Sequence, residues 1–479
     1  MKAVYLICFI LISVISGYSQ NSGKDYSETF KLIEAWLDTQ KDFEKLPGIT
    51  AAIVEDQEIL WTGAYGLADV EKKTEMKSSN IFSICSISKL FTSVAIMKLY
   101  DEGKLRLDDR IEDLLPWYDL EQKFPEGGPI TVRSLLTHSS GLPREANFPY
   151  WTGPDFPFPT EEQVKDQLSE QVTLYPASTY FQYSNLGLTL LGQIIEKVSG
   201  IPFDEYIRQN ILIPLGLENT RTVLPEALYG KELSIGYSAL KRDGQREKVS
   251  FFQAKGIAPA AGFSSNVFDL GVFASWQFRL MDSTITEILK PSTLKYMQNV
   301  HWTDPDWKTT WGLGFSVQKG TGDSKIVGHG GSCPGYRSVL LIIPENKIAV
   351  VVMINASGTN PDKYATGIVE LLNKAEADKK KHVSVSKENK DFGQYSGYYS
   401  NMPWGSETFF SSWNGNLVSL TLPSESPVKS MTFFKYIEGE TFRRIRDDGK
   451  LGETLVFERN PKGEIIHYVQ HNNYSKKIN

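Results

Sequence analysis

Cysteine is almost missing from this chain: 3 in 479 residues. That excludes a small fold stapled by disulfides. Cys8 lies in the first apolar run, which leaves Cys85 and Cys333, each among small neighbours. They are expected to be two free, buried thiols. The histidines His138, His301, His329, His382, His467 and His471 show no metal-ligand spacing. No metal and no cofactor is expected. Excess positive charge is missing too. Lys plus Arg is 51 against 57 for Asp plus Glu, a net charge of -6, so no field draws in nucleic acid. There is no internal repeat and no low-complexity tract. Long apolar runs are absent with one exception, residues 3–15, which follow Met1 and Lys2. That run is short for a bilayer span. With Gly17-Tyr18-Ser19 behind it, it reads as a secretory signal cut after Ser19. The mature protein is expected to be secreted or periplasmic, without a membrane span.

What is present is an ordinary globular composition, 41% hydrophobic and 23% charged. The length implies two or three domains. Residues 26–43 read as an amphipathic helix with Phe30, Ile33, Trp36 and Leu37 on one face. Pro47-Gly48 ends it. Residues 49–54 and 59–65 are β-rich runs around the polar turn Glu55-Asp56-Gln57-Glu58, a hairpin. A mostly helical stretch covers 83–297. Short strands return at 312–318, 325–328, 336–343 and 348–354, with Pro344-Glu345-Asn346-Lys347 as a turn, and a helix at 359–377 closes the region. Strands at both ends with helices between them imply one sheet assembled from distant pieces. The predicted class is α+β: an antiparallel sheet flanked by terminal helices, with an inserted helical lobe, over residues 20–377. The cleft between sheet and lobe is the expected site.

Residues 378–391 are charged and poor in large apolar side chains, so they read as a linker. From 392 to 479, short alternating runs between Gly, Asn and Pro turns predict a small all-β barrel or sandwich. Tyr398, Tyr399, Trp404, Phe409, Phe410 and Trp413 of this domain suit sugar stacking. A structural role, or a cover over the cleft mouth, is the other expectation for it.

Three motifs carry chemistry. Ser86-Ile87-Ser88-Lys89 opens a helix that runs to about Glu102, with Gly103 as the stop. Residues three apart share a helix face, which sets Lys89 beside the Ser86 hydroxyl. A serine needs a base before it attacks, and a lysine serves as one when burial lowers its pKa. The residues after it, Leu90 to Met97, are almost unbroken apolar, so Lys89 sits on a buried helix. Tyr183-Ser184-Asn185 precedes a second apolar helix. Tyr183 can relay a proton; Asn185 can pair with a substrate amide or cap its helix. His329-Gly330-Gly331-Ser332 is a strand edge that a substrate backbone can approach closely, with the Ser332 N–H as an oxyanion donor.

In that order the motifs resemble the serine β-lactamase and penicillin-binding superfamily, specifically its class C branch of D-Ala-D-Ala carboxypeptidases, D-aminopeptidases and esterases. The resemblance spans residues 26–377. It extends through Leu135-Leu136-Thr137-His138-Ser139-Ser140-Gly141-Leu142-Pro143, Pro214-Leu215-Gly216-Leu217, Ala261-Gly262-Phe263 and Trp311-Gly312-Leu313-Gly314. It implies Ser86 as the acylated nucleophile, with Lys89 and Tyr183 sharing acid and base work as a coupled pair. Asn185, His329, Gly330, Gly331 and Ser332 would bind substrate, and the N–H groups of Ser86 and Ser332 would form the oxyanion hole. His329 stands where many β-lactamases carry lysine. A largely neutral histidine grips a substrate carboxylate less firmly, which argues against a dedicated penicillinase.

The function expected is an exported serine hydrolase that cleaves small amide or peptide bonds, plausibly D-amino-acid peptides of cell-wall type. A carboxylesterase is the alternative, then a β-lactamase. A non-catalytic binder that keeps the fold is the reading from another class, opposed by the retained Ser86 and Lys89. The partner is a small-molecule or peptide substrate; nothing in the sequence speaks to oligomeric state. Phe148, Pro149, Tyr150, Trp151, Pro154, Phe156, Pro157 and Phe158 form an aromatic stretch. It is read either as a wall over the cleft or as packing on the helical lobe.

Overall fold

The computed structural model describes residues 25–381 and 392–478. The segment 1–19 expected to be a signal, and residues 382–391 of the expected linker, lie outside the described residues. The first helix, α1 (Ser27–Phe43), buries Leu32, Ile33, Trp36 and Leu37, the spacing that puts a helix stripe on a core. It is followed by β1 (Gly48–Glu55), β2 (Glu58–Asp69) and β3 (Thr74–Glu75). The helical lobe contains α2 (Ser88–Asp101), α3 (Asn185–Ser199) and α4 (Val267–Asp282) among shorter turns. The sheet resumes with β4 (Trp302–Thr303), β5 (Thr310–Trp311), β6 (Ser316–Lys319), β7 (Lys325–Cys333), β8 (Tyr336–Ile343) and β9 (Ile348–Ile354), and α5 (Pro361–Lys381) closes the domain. The nine strands lie in the order β3-β2-β1-β9-β8-β7-β6-β5-β4, and the pairings are antiparallel.

The predicted α+β architecture is therefore present, and the pairing of β1 with β9 explains how it closes. Ile49 sits opposite Ile354 and Glu55 opposite Ile348, so chain pieces 300 residues apart share the sheet centre. Ile348 to Ile354 are all buried because both faces are covered, so this strand reads as an unbroken apolar run rather than an alternating one. One face packs on the helical lobe. The other carries α1 and α5. Trp36 is fully buried there, and truncating it to alanine would cost about 3–5 kcal/mol.

Two expectations about local structure change. Helix α5 continues to Lys381, so residues 378–381 are helical rather than linker. The helix persists because Lys374 and Asp378, one turn apart, pair at 3.0 Å and Asp378 also accepts from Trp413 Nε1 at 3.0 Å. Cys85 and Cys333 are buried, as expected, but bonded to each other and not free. The end of β7 arrives beside the turn before α2, with Cα atoms 5.6 Å apart, inside the range a disulfide bridges.

The C-terminal region forms an eight-stranded sheet: β10 (Gly397–Ser400), β11 (Glu407–Trp413), β12 (Asn416–Leu422), β13 (Met431–Glu438), β14 (Thr441–Ile445), β15 (Leu451–Arg459), β16 (Ile465–Gln470) and β17 (Asn473–Lys476). Each strand pairs with the next, and a bridge from Tyr399 to Lys477 brings the first and last strands together. The result is close to a barrel, filled by aromatic side chains. Phe409, Trp413, Val418 and Leu420 join the core of α1 and α5, and Trp36 Nε1 donates to the Ser424 carbonyl at 2.9 Å. Among the described residues none from 392 onward lines the cleft. The domain's apolar face is taken up by the terminal helices. Among the described residues no helix is long and apolar enough to cross a membrane.

Candidate active site

Helix α2 is buried on nearly all sides, and a one-turn 3-10 segment, Cys85–Ile87, leads into it. Ser86 is at this entry, half exposed in a cleft of about 640 Å³. Lys89, one turn on, is fully buried. Its Nζ lies 3.1 Å from Ser86 Oγ, 2.7 Å from Asn185 Oδ1 and 2.7 Å from the Ala260 carbonyl. Burial holds the lysine pKa well below its ordinary value; Glu145 opposes this and Arg144 adds to it. In its deprotonated form this amine would give its two N–H groups to the two carbonyl oxygens and turn its lone pair to the Ser86 hydroxyl. That is the arrangement a general base requires.

Helix α3 begins at Asn185, and its N-cap is Ser184, whose Oγ accepts from Gly187 N–H at 2.9 Å. The capping role thus falls to Ser184 and frees Asn185. Its amide is committed elsewhere: Oδ1 accepts from Lys89, and Nδ2 donates to both oxygens of Glu145, at 2.9 and 2.8 Å. Tyr183 is held by His138, which the sequence offered only as part of a family phrase. The His138 carbonyl accepts from Gln182 N–H at 2.7 Å and its Nδ1 from Ser184 N–H at 3.1 Å, bracketing the tyrosine. The two rings are 4.3 Å apart. His138 is neutral because burial above all pushes its pKa well down. Burial raises the Tyr183 pKa, with Ser86 and Arg144 opposing, so the phenol keeps its proton at rest.

His329 lies in β7 with Nδ1 2.6 Å from the Gly330 carbonyl and Nε2 3.4 Å from the Tyr183 hydroxyl. Nδ1 therefore carries the proton, and Nε2 faces the phenol as an acceptor. Burial above all lowers the His329 pKa to about 3, so the ring is neutral at physiological pH. Strand β6 pairs with β7 only as far as Gly328; Gly330 to Cys333 pair with β8 alone. Cys333 and Tyr336 flank a two-residue Pro334-Gly335 turn, which makes them the hydrogen-bonded pair. The N–H and C=O of Gly330 and Ser332 then point out of the sheet edge, into the cleft. Gly331 faces the lobe, where a Cβ would come 2.3 Å from the Ile84 carbonyl, so nothing larger fits. Ser338 Oγ donates to that same carbonyl at 3.2 Å.

The structure thus brings Ser86, Tyr183, Asn185, His329, Gly330, Gly331 and Ser332 into one cleft, with Lys89 beneath it. The disulfide joins the residue before Ser86 to the residue after Ser332. Of the aromatic stretch, only Trp151 lines the cleft. Tyr150 and Phe158 are buried in the lobe, so packing is most of its role. Two residues went unnoticed in the sequence. Glu145 accepts from Asn185, Tyr150 and Arg144, and the Arg144 guanidinium lies 4.9 Å over the Tyr183 ring. Adjacent charges in a loop carry no periodicity, so no local pattern marks them. Among the described residues no group of three or more His, Cys, Asp or Glu side chains is arranged to hold a metal.

Comparison with known proteins finds relatives over most of the chain. The family model described as Beta-lactamase matches residues 33–373. Penicillin-binding protein 4* of Bacillus subtilis (strain 168) is 27% identical over 321 residues, 64% of this chain and 67% of that one. A candidate D-alanyl-D-alanine carboxypeptidase of Escherichia coli (strain K12) is 25% identical and covers 71% of this chain and 87% of its own. The octameric penicillin-binding protein homologue from Pyrococcus abyssi superposes with a TM-score of 0.63 at 25% identity, covering 93% of this chain and 99% of that one.

Proposed function

The chain belongs to the Beta-lactamase family, and from that premise we propose that it is an exported serine hydrolase that opens small amide bonds through an acyl-enzyme on Ser86. Lys89 takes the Ser86 proton as the hydroxyl oxygen attacks the amide carbon. The N–H groups of Ser86 and Ser332 receive the carbonyl oxygen as it becomes an oxyanion. Tyr183 gives its proton to the departing nitrogen and is recharged from Lys89, whose Nζ lies 4.8 Å from its ring centre. The amine leaves, the acyl group stays on Ser86, and water attacks by the reverse proton path. The leader expected at 1–19 supports placing this reaction in an extracytoplasmic compartment. D-amino-acid peptides of cell-wall type are the substrates we favour, because penicillin-binding proteins and a candidate D-alanyl-D-alanine carboxypeptidase are among the relatives.

The observation that carries the reading is the hydrogen-bond set of Lys89: two carbonyl acceptors and one serine hydroxyl, with no carboxylate bonded to it among the described residues. The test is the intact mass of the protein after incubation with a penicillin and with D-alanyl peptides, beside Ser86→Ala. We expect an adduct or turnover with the parent protein and neither with the variant. Hydrolysis that survives Ser86→Ala would falsify the mechanism. Turnover of neutral esters alone would move the reading to a carboxylesterase.

A further inference from the structure

The two oxyanion donors come from separate parts of the fold. Ser86 stands in the 3-10 turn that leads into the helical lobe, and Ser332 stands near the end of β7, in the sheet. An oxyanion hole works only if both N–H groups lie about 2.7–3.1 Å from one oxygen, so the spacing of these two segments has to be fixed. Few contacts fix it. Among the described residues no backbone hydrogen bond joins 84–87 to β7. Past Gly328, β7 is paired along one edge alone. The Ser338 hydroxyl, on the neighbouring strand, reaches the Ile84 carbonyl at 3.2 Å. The direct tie is covalent. Cys85 precedes Ser86, Cys333 follows Ser332, and the two are bonded across 248 residues. Cys85 is also held at φ +53°, a left-handed backbone that an L residue keeps when its surroundings impose it. Released from the bond, this residue is free to turn and to carry the Ser86 N–H with it. The packing around the bond does not depend on it. Both cysteines lie in the apolar core, and Ser83 Oγ is 3.6 Å from either sulfur, placed to pair with a thiol.

We infer that Cys85 and Cys333 are positioning residues of the oxyanion hole: their bond fixes Ser332 against Ser86, and its formation turns a folded but slow chain into a fast enzyme. This rests on the reading of Ser86 as the nucleophile. The conversion is a thiol–disulfide exchange. The Cys85 and Cys333 thiols give up two protons and two electrons to an external disulfide, which leaves as two thiols, and one S–S bond forms in the protein. Such oxidants prevail outside the cytoplasm, so an exported chain is slow where it is made and fast where it is sent. A loosened hole weakens contacts made only in the transition state, so the effect falls on kcat and spares KM.

The experiment uses two probes. One is the activated ester p-nitrophenyl acetate. The other is phenylboronic acid, whose boron accepts the Ser86 oxygen while Lys89 takes the proton, leaving one boron hydroxyl in the oxyanion hole. The oxidised parent protein is compared with Cys85→Ala, Cys333→Ala and the double variant. Its kcat should exceed each of theirs by about 10–100-fold, part of what the loss of a whole donor costs, with KM within about threefold, and its boronate affinity should be higher by a like factor. The two single variants and the double should be equally slow, because each removes the same bond. Parent protein isolated under reducing conditions should match them and recover on addition of oxidised glutathione, to which the variants should not respond. Near-UV circular dichroism checks that each form is folded, and if the variants are not, the reduced and reoxidised parent carries the test. A bond that only stabilises the fold would lower the unfolding midpoint when lost and leave kcat and boronate affinity unchanged. That result overturns the proposal, as do losses that add in the double variant or a reduced parent as fast as the oxidised one. Failure of the nucleophile reading looks different: ester cleavage and boronate binding would survive Ser86→Ala, or be missing from every form alike.

Discussion

Around the cleft the protein buries ionisable and strongly polar groups. Lys89, His138 and His329 are interior, with Asn185 between them. The C-terminal barrel does the opposite. Its interior is Tyr395, Tyr399, Phe410, Phe442, Phe457 and Tyr468, ring against ring, and among its described residues no Lys, Arg, Asp, Glu or His is buried. Burying an ionisable group is costly unless it is neutralised or paired. A chain that accepts this cost in one core and avoids it in the other separates two tasks: the first core tolerates strain for chemistry, and the second is optimised for packing. Mutations in the two regions should therefore move different observables.

The largest expected difference comes from a pair of variants. Lys89→Met replaces a buried lysine by an apolar chain of similar length. Activity should fall at least about 10³-fold, the usual scale for losing a positioned base, while stability stays within about 2 kcal/mol, since an uncharged neighbour replaces a group that is costly to bury. Phe457→Ala should do the reverse. It removes a ring 4.6 Å from Tyr395 and 5.4 Å from Phe410, costing about 3–5 kcal/mol, with kcat unchanged. Chemical denaturation and steady-state turnover on both variants check this. A large loss of kcat in Phe457→Ala would end the separation of tasks.

A smaller effect sharpens the role of Glu145. Glu145→Gln keeps the shape of the side chain and removes its charge. The Lys89 pKa should move further down, because the Glu145 charge is what raises it. The acidic limb of the kcat–pH profile should then shift to lower pH. Asn185 loses a charged acceptor and its fixed orientation, so kcat should fall about tenfold, the size of one charge-assisted hydrogen bond. An unmoved acidic limb would mean that Glu145 only packs.

The limits of what could be read from the sequence follow from where each residue sits. Ser86, Lys89 and Asn185 stand at the starts of apolar helices, and His329 to Ser332 in a glycine-marked strand; such elements announce themselves locally. Lys89 was legible because an apolar helix surrounds it. Glu145 and Arg144 were not, because a loop folded back on α3, where Asn185 N–H meets the Arg144 carbonyl at 2.7 Å, brings them to the site. The Cys85–Cys333 bond spans 248 residues and follows from the β7 register, which no local pattern encodes. The docking of the barrel had the same origin: its strands were readable, but not the faces of α1 and α5 that hold it.

The smallest effect tests the buried histidines directly. His329 has a folded pKa of about 3 against an unfolded value of about 6.5. Between those values the unfolded chain binds a proton that the folded protein refuses, so stability rises with pH across that window and is lost as pH falls through it. At pH 5.5, one unit below the unfolded value, the contribution lost is about 1.4 kcal/mol. His138, also neutral and buried, adds a loss of the same sign. His329→Gln removes one of the two groups, so the difference in unfolding free energy between pH 7.5 and pH 5.5 should shrink by about 1.4 kcal/mol while part of the acid sensitivity remains. The barrel has no buried histidine among its described residues, so Phe457→Ala should lower stability by the same amount at both pH values. If His329→Gln left the acid slope intact, the ring would be taking up a proton in the folded state, and the low His329 pKa would be wrong.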